Sequence, residues 1–425
     1  MAMNVLWVVN MIMPDFARAL KLDVNNRGGW MPALVSALRH YAPNLKLHIC
    51  SAGPANAHAE TEGVNYYALG DAYEGHFIHK PSRTISRNMA RLICEINPDI
   101  IHFHGSEGLF GTIDADVYDR NKCVVSLQGI LQGAYPHYTG GINELEIRKY
   151  RNYANFLLTR YTITHGAESW RVRLGERERV ALSRVRYVMG RTEWDRAWAC
   201  YLAPSARYFH VGEVLRPEFY TGFRDKREVV KHQIYCGGAM AYPLKGGHWL
   251  LRAMGYLRRK YPDIKLRVAN ADKIMPKAGI GDWVKRNEYR RYLWRLIEEN
   301  QLEKNVALLP SLTASQVADE LRKSELFCLP SMCENSPNSI GEAMLLGIPI
   351  LATDVGGVSS IIKDGDEGIL IPPGDPAMLA MKIEYCFEHE EKMDILTNNA
   401  YKVSSKRYDP ELVVKELLEA YGQMK

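Results

Sequence analysis

Short apolar runs separated by segments of helical period organise the chain. Asn4–Asn10, Leu45–Ser51, the stretch after Pro98 that runs into His104 and Gly105, and Val124–Gly129 read as buried strands. The glycine turn Asn26-Arg27-Gly28-Gly29-Trp30 follows the first strand, and a helix with Leu34 and Leu38 on its inner face comes next. Strand, glycine turn and helix in that order open a doubly wound α/β domain. Residues 52–83 are polar and irregular, with His76 and His79 read as surface residues. Residues 143–198 are helical and basic, and 205–219 read as a short strand and a crossing into a second domain. From about Lys231 the alternation resumes. Strands are predicted at Gln233–Cys236, Lys265–Asn270, Asn305–Leu309, Glu325–Pro330 and Ile348–Ala352, with helices from Lys245 to Arg258, at Ala314–Arg322 and up to Gly347. Residues 272–302 form a basic, aromatic helix on the domain surface. A chain of 425 residues is too long for one core. The predicted division is 1–215, 216–405 and a terminal helix within 406–425 that packs back on the first domain.

Chemistry concentrates in Ser331–Gly357. Ser336 is a good N-cap and Pro337 suits the first helical position, so a helix starts near Pro337 with its amides and positive dipole end aimed at the preceding loop. Such an end binds phosphate. Glu334 lies in the loop and Glu342 in the helix, and a helical side chain leans toward the N-terminus, so both carboxylates reach the same space. An anion seat between two hydroxyl-binding carboxylates fits a nucleotide sugar. A capped amphipathic helix with one internal glutamate is also an ordinary structural element.

Composition narrows the class. Hydrophobic residues make up 47% and charged residues 24%, which is globular. The eight cysteines form no C-x-x-C pair, so reduced thiols in a cytoplasmic setting are expected and a zinc site is not; Cys333 fills space. No apolar run is long enough to span a bilayer. A net charge of +5 is too small to suggest a nucleic-acid partner. Seven arginines between Arg171 and Arg191, interleaved with Trp170, Tyr187, Trp194 and Trp198, admit two readings: a solvated helix face, or contact of 170–198 with an anionic membrane surface.

Glu334-Asn335-Ser336-Pro337-Asn338-Ser339-Ile340-Gly341-Glu342 resembles the E-x7-E motif of retaining glycosyltransferases of family 4 (glycosyl transferases group 1). Leu329-Pro330-Ser331, the segment from Gly347 to Gly357, Asp364-Gly365 and Gly368 to Asp375 extend the match, which is ordered from about Ile234 to Asp375. The resemblance implies a GT-B fold, two facing Rossmann-like domains with the active site in the cleft. It also implies retaining transfer of a hexose-type sugar from a UDP- or GDP-sugar to a glycan or lipid-linked acceptor in cell-surface polysaccharide biosynthesis. It implies no cofactor and no metal site, so the leaving diphosphate falls to Lys245 and the amides near Pro337–Ser339. Glu334 is assigned to donor-sugar hydroxyls and Glu342 to the ribose. Gly28, Gly29, Gly238, Ser311, Asn335, Pro337, Asn338 and Ser339 are the remaining donor-side candidates.

His104 is a candidate because strand ends line the crevice where α/β sheets bind ligands; a plain strand-end histidine is the alternative. Glu107 and Gln128 are acceptor-side candidates. Two departures from the family pattern stand out. Gln128 replaces a common histidine and removes an ionisable group. Ala239 and Met240 lie where an arginine partner of Lys245 is expected, so one phosphate-binding cation stands where two are usual. These departures keep two alternatives open, a GT-B nucleotide-sugar epimerase and a non-catalytic nucleotide-sugar-binding subunit.

Overall fold

The computed structural model describes residues 3–24, 29–54, 57–70, 82–151, 162–238, 240, 242–272, 274–275 and 288–424. They fall into two units. The first holds 1–133, 170–216 and 407–425, and the second 134–169 and 217–406.

In the first unit the strands are β1 (Asn4–Val9), β2 (Lys46–Ser51), β3 (His58–Thr61), β4 (Val64–Ala68), β5 (Ile100–His104), β6 (Cys123–Ser126), β7 (Tyr187–Gly190) and β8 (Arg207–His210). They lie in the order β3-β4-β2-β1-β5-β6-β7-β8. All pairs are parallel except β3 with β4. That antiparallel hairpin lies inside the region expected to be irregular, and it turns on Glu62 and Gly63, both at positive φ. His76 and His79 lie outside the described residues.

Strands buried on both faces read as continuous apolar runs, and β1 does so, with Val5 to Val9 almost fully buried. Trp7, at its centre, donates from Nε1 to the Tyr421 hydroxyl at 3.0 Å. Tyr421 sits on the Pro410–Gly422 helix, which packs on the Trp30–Tyr41 helix. The same hydroxyl lies 2.6 Å from His102 Nδ1, and His102 Nε2 lies 2.6 Å from Ser126 Oγ. The terminal helix is thereby fastened to β1, β5 and β6 through buried polar groups.

The second unit has β9 (Val230–Gly237), β10 (Lys265–Ala269), β11 (Val306–Leu308), β12 (Ser324–Leu329), β13 (Ile350–Thr353) and β14 (Ile369–Ile371), all parallel in the order β11-β10-β9-β12-β13-β14. This is the dinucleotide-fold order, in which the winding reverses between the first and fourth strands. The reversal falls between β9 and β12.

Two expectations are corrected. Residues 134–169, placed within 1–215 on the sequence, belong to the second unit. Ile142, Ile147 and Ile163 are buried in its core. The Gly140 carbonyl accepts from Trp249 Nε1 and contacts His248 Nε2, both at 3.0 Å. Arg252 bonds Glu146 at 2.7 Å, and the Glu288 carboxylate takes Arg151 Nε at 2.7 Å and Ile163 N–H at 2.6 Å. The second correction concerns the Glu288–Glu299 helix, expected on the surface. Its outer face is exposed at Arg295, Glu298 and Glu299, as a surface helix requires, but Tyr289, Tyr292 and Leu293 are buried, and so is Arg290, whose guanidinium donates to the carbonyls of Ile274 and Met275. Trp283, Lys285 and Arg286 lie outside the described residues.

Removing the Tyr421 hydroxyl leaves the Trp7 N–H and His102 Nδ1 buried without that partner. Tyr421→Phe is therefore expected to lower unfolding stability by about 1–3 kcal/mol, the cost of stranding a buried polar group. Chemical denaturation checks this, and an unchanged midpoint contradicts the fastening role.

Candidate functional site

Ligands of open α/β sheets bind beyond the carboxyl ends of the strands, where the winding reverses. In the second unit β9 leads there into Gly238 and Lys245, and β12 into Ser331 and Glu334. Lys245 Nζ lies 2.6 Å from Glu334 Oε1, and Ser331 Oγ donates to the same oxygen at 2.7 Å. The Glu334 side chain is 9% exposed and that of Lys245 34%, so the pair is anchored on the protein side and open on the cationic side.

The backbone forces this meeting. Gly246 has φ +70°, and a Cβ there would lie 1.8 Å from the Pro330 carbonyl oxygen. Met332 N–H donates to the Leu244 carbonyl at 2.8 Å, so the two loops are joined on either side of the contact. A second glycine fixes Glu334 from behind. Gly356 has φ +55° and a Cβ there would lie 1.9 Å from the Glu334 carbonyl oxygen, which accepts from Gly357 N–H at 3.0 Å. Only glycine tolerates both the positive φ and the approach. Thr353 Oγ1 donates to the Ser331 carbonyl at 2.5 Å and ties the loop to β13.

The helix that follows runs Asn338–Leu345. Pro337, not Ser336, is its N-cap, in an extended conformation with φ −73° and ψ 107°, and no side-chain cap bond is made there among the described residues. The Ser336 expectation is thus corrected: the helix starts one residue later, because Pro337 keeps an extended ψ and only then does the chain turn helical. An uncapped first turn presents N–H groups that a side-chain cap would otherwise occupy. Asn338 stands at its entry with Oδ1 buried and without a partner among the described residues. Asn335 and Glu342 are buried beside it in the chain. Cys333 is a buried thiol; burial, then the neighbouring Glu334, push its pKa up to about 12, with Lys245 opposing.

Of the other donor-side candidates, Gly238 has φ +66° with open space where a Cβ would point. Ser311 donates to Asp272 at 2.6 Å, at the exposed end of β11. Met240, near the position where an arginine was expected, is buried in the core. Gly28, Arg27 and Ala239 lie outside the described residues. Among the described residues no group of three His, Cys, Asp or Glu side chains converges as a metal site.

The first unit has its own reversal, between β1 and β5. Gly29 there packs against Arg216, whose Cδ would lie 2.5 Å from a Cβ. His104 ends β5 fully buried, 4.4 Å centroid to centroid from Trp7 and 3.9 Å from His102. Neither ring nitrogen has a hydrogen-bond partner among the described residues. Burial, then His102 and Arg191, hold its pKa well below the usual range, so it is neutral. Gln128 Oε1 accepts from Arg191 Nη2 at 3.0 Å, and Arg191 Nη1 lies 3.1 Å from Glu213. Arg191 is therefore buried in an ion pair and leaves the basic face of 170–198; Trp194 and Trp198 pack on Gly133.

Three residues here went unrecognised in the sequence. Asn10 donates to the His104 carbonyl at 3.1 Å and accepts from Leu109 N–H at 2.9 Å, holding the loop that carries Glu107. Ser106 Oγ donates to Glu178 at 2.6 Å, and the other Glu178 oxygen accepts from Gln132 N–H at 3.0 Å. Glu178 sits within the arginine-rich stretch 170–198. Its spacing of four from Leu174 and from Leu182 marks the inward face and was the available signal. Burial raises Glu107 to about 7 against bonds from nearby backbone amides, and raises Glu178 to about 8 with Glu107 adding to it.

Residues 226–403 match the family model of glycosyl transferases group 1. A D-inositol 3-phosphate glycosyltransferase of Paenarthrobacter aurescens is 29% identical over 179 residues, 41% of each chain. The match spans less than half the length of such curated relatives. Two solved structures share the fold over nearly the whole chain. Sucrose-phosphate synthase from Thermosynechococcus elongatus has TM-score 0.70 and 15% identity over 99% of each chain. Anabaena HepE in complex with UDP and glucose has TM-score 0.65 and 16% identity, again over 99% of each.

A carboxyl whose folded pKa is raised binds protons that the unfolded chain has released. For Glu107 stability is therefore fully present below its ordinary value of 4.5 and lost as pH rises to about 7. Glu107→Gln removes that loss. Compared with the parent, the variant is expected to gain stability on going from pH 4.5 to pH 8, on the order of 3 kcal/mol from the size of the shift. Denaturant titrations across this range read it out, and a parallel pH dependence of the two proteins contradicts a raised Glu107. Residues 226–403, all within the second of the chain's two parallel-sheet units, are similar to the glycosyl transferases group 1, and the fold is GT-B.

Proposed function

We propose that the chain is a retaining glycosyltransferase that moves a hexose-type sugar from a UDP- or GDP-sugar to a hydroxyl of a glycan or lipid-linked acceptor. The observation that carries this reading is the Lys245–Glu334 pair, 2.6 Å apart at the reversal of the second sheet and ahead of an uncapped helix start. A diphosphate needs a cation and converging N–H donors, and a sugar needs a fixed carboxylate; this loop pair offers all three. The glycosyltransferase named among the relatives and the UDP and glucose held by HepE support it.

In the proposed reaction the acceptor oxygen bonds to the anomeric carbon on the face that the leaving group departs. The bond from that carbon to the phosphate oxygen breaks, and this oxygen takes the acceptor proton. Charge grows on the diphosphate as the sugar leaves. Lys245 and the Asn338 and Ser339 amides stabilise that charge without a metal ion, and Glu334 orients the sugar through its hydroxyls. Glu342 is assigned to the ribose.

Met240 in the core, near where a second cation was expected, favours one other reading, nucleotide-sugar binding without transfer. Kinetics distinguish the two. Lys245→Ala is expected to lower kcat roughly 100-fold, the scale of losing one preorganised donor, and to raise the donor KM less. Lys245→Arg recovers part of the loss, because a planar fork cannot occupy the ammonium's position. A donor panel with acceptor extract supplies the assay. Wild-type kinetics in both variants overturn the phosphate role, and donor binding with no turnover in the parent protein selects the second reading.

A further inference from the structure

We infer that the first unit carries a second ligand site, for a small amphipathic phosphate ester, in a cavity of about 280 Å³ beside the Glu176–Leu182 helix. Its apolar lining includes Phe110, Ile113 and Tyr118, and its charged lining includes Arg120, Arg177 and Arg184. None of the three guanidiniums has an ion-pair partner among the described residues. Arg177 Nη1 is buried and has no hydrogen-bond partner there either. A buried charged donor left unpaired costs several times what a satisfied one does, so this group is unusual in a settled surface.

Acidic residues of the lining do not answer the charge. Glu176 accepts two bonds from Arg179, at 3.0 and 2.5 Å, which leaves Asp114 against three arginines. Guanidinium forks match the paired oxygens of phosphate, and three arginines line this one cavity. Apolar walls of aromatic and branched residues add room for a hydrocarbon body. The cavity is lined by residues of the first unit alone, and the argument for it does not use Lys245 or the proposed function. Two sources share its chemistry, a soluble phosphate ester and the headgroup of a phospholipid.

Calorimetric titration of the full chain with phenyl phosphate tests the site. Phenyl phosphate is expected to bind at least tenfold more tightly than inorganic phosphate or phenol alone. Arg177→Ala and Arg184→Ala are each expected to weaken it at least tenfold, while Lys245→Ala leaves it unchanged. Arg184 is exposed, so its variant carries the test if Arg177→Ala does not fold. Vesicles of phosphatidylcholine with phosphatidic acid that displace phenyl phosphate assign the site to a lipid headgroup; vesicles that do not displace it assign it to a soluble ester. Absence of binding, binding indifferent to both arginine variants, or binding lost in Lys245→Ala overturns the inference.

Discussion

The approach of Gly246 to the Pro330 carbonyl is the constraint on which the proposed site depends. With any side chain at 246 the loops after β9 and β12 could not touch, because a Cβ would sit 1.8 Å from that oxygen. Contact of the loops brings Lys245 to Glu334, and Glu334 is held in turn by Ser331 in front and by Gly356 and Gly357 behind. Backbone packing thus places the base of Lys245, and its ammonium is held by the Glu334 carboxylate at 2.6 Å. Preorganisation of this kind is what makes a single charge effective on a leaving group, since no reorganisation is needed as charge develops. Topology supplies the place: both loops leave the carboxyl ends of strands that flank the winding reversal.

The first unit repeats the topology with different chemistry. Its reversal gathers neutral, desolvated groups instead of an exposed cation. His104 is buried between aromatic rings, and Glu107 and Glu178 are raised toward neutrality by burial and linked through Ser106. Asn10 reaches from β1 to hold the loop after β5, which is why Gly108 cannot carry a side chain: a Cβ would meet Asn10 Oδ1 at 1.9 Å.

Much of this fold is legible in the sequence. Apolar runs are a local property, so β1, β2, β5, β6, β9 to β13 and the E-x7-E stretch could be located residue by residue; β3 and β4 lie in the region read as irregular, β7 lies in 143–198 read as helical, and β14 was not read as a strand. Features decided by distant packing could not. Residues 134–169 carry no local mark of the unit they join, because their membership is set by Ile142, Ile147 and Ile163 entering a core built from Ile234 onward. Arg290 looks like a surface residue until the carbonyls of Ile274 and Met275 are found beside it. The helix start failed by one position, because Ser336 and Pro337 both fit the entry rules and only the backbone angle of Pro337 separates them. Glu178 was legible and was missed, since its charge drew more notice than its spacing.

The most direct test of the central claim is hydrogen exchange of the full chain with and without a saturating nucleoside diphosphate sugar. Bound diphosphate should occupy the amides at the uncapped helix start and close the loops that hold Lys245 and Glu334. The account predicts slowed exchange in peptides covering Lys245–Trp249 and Glu334–Ile340, while the β9–β10 core stays unchanged. Exchange that slows only in the first unit, or in neither loop of the second at a saturating donor concentration, would contradict it.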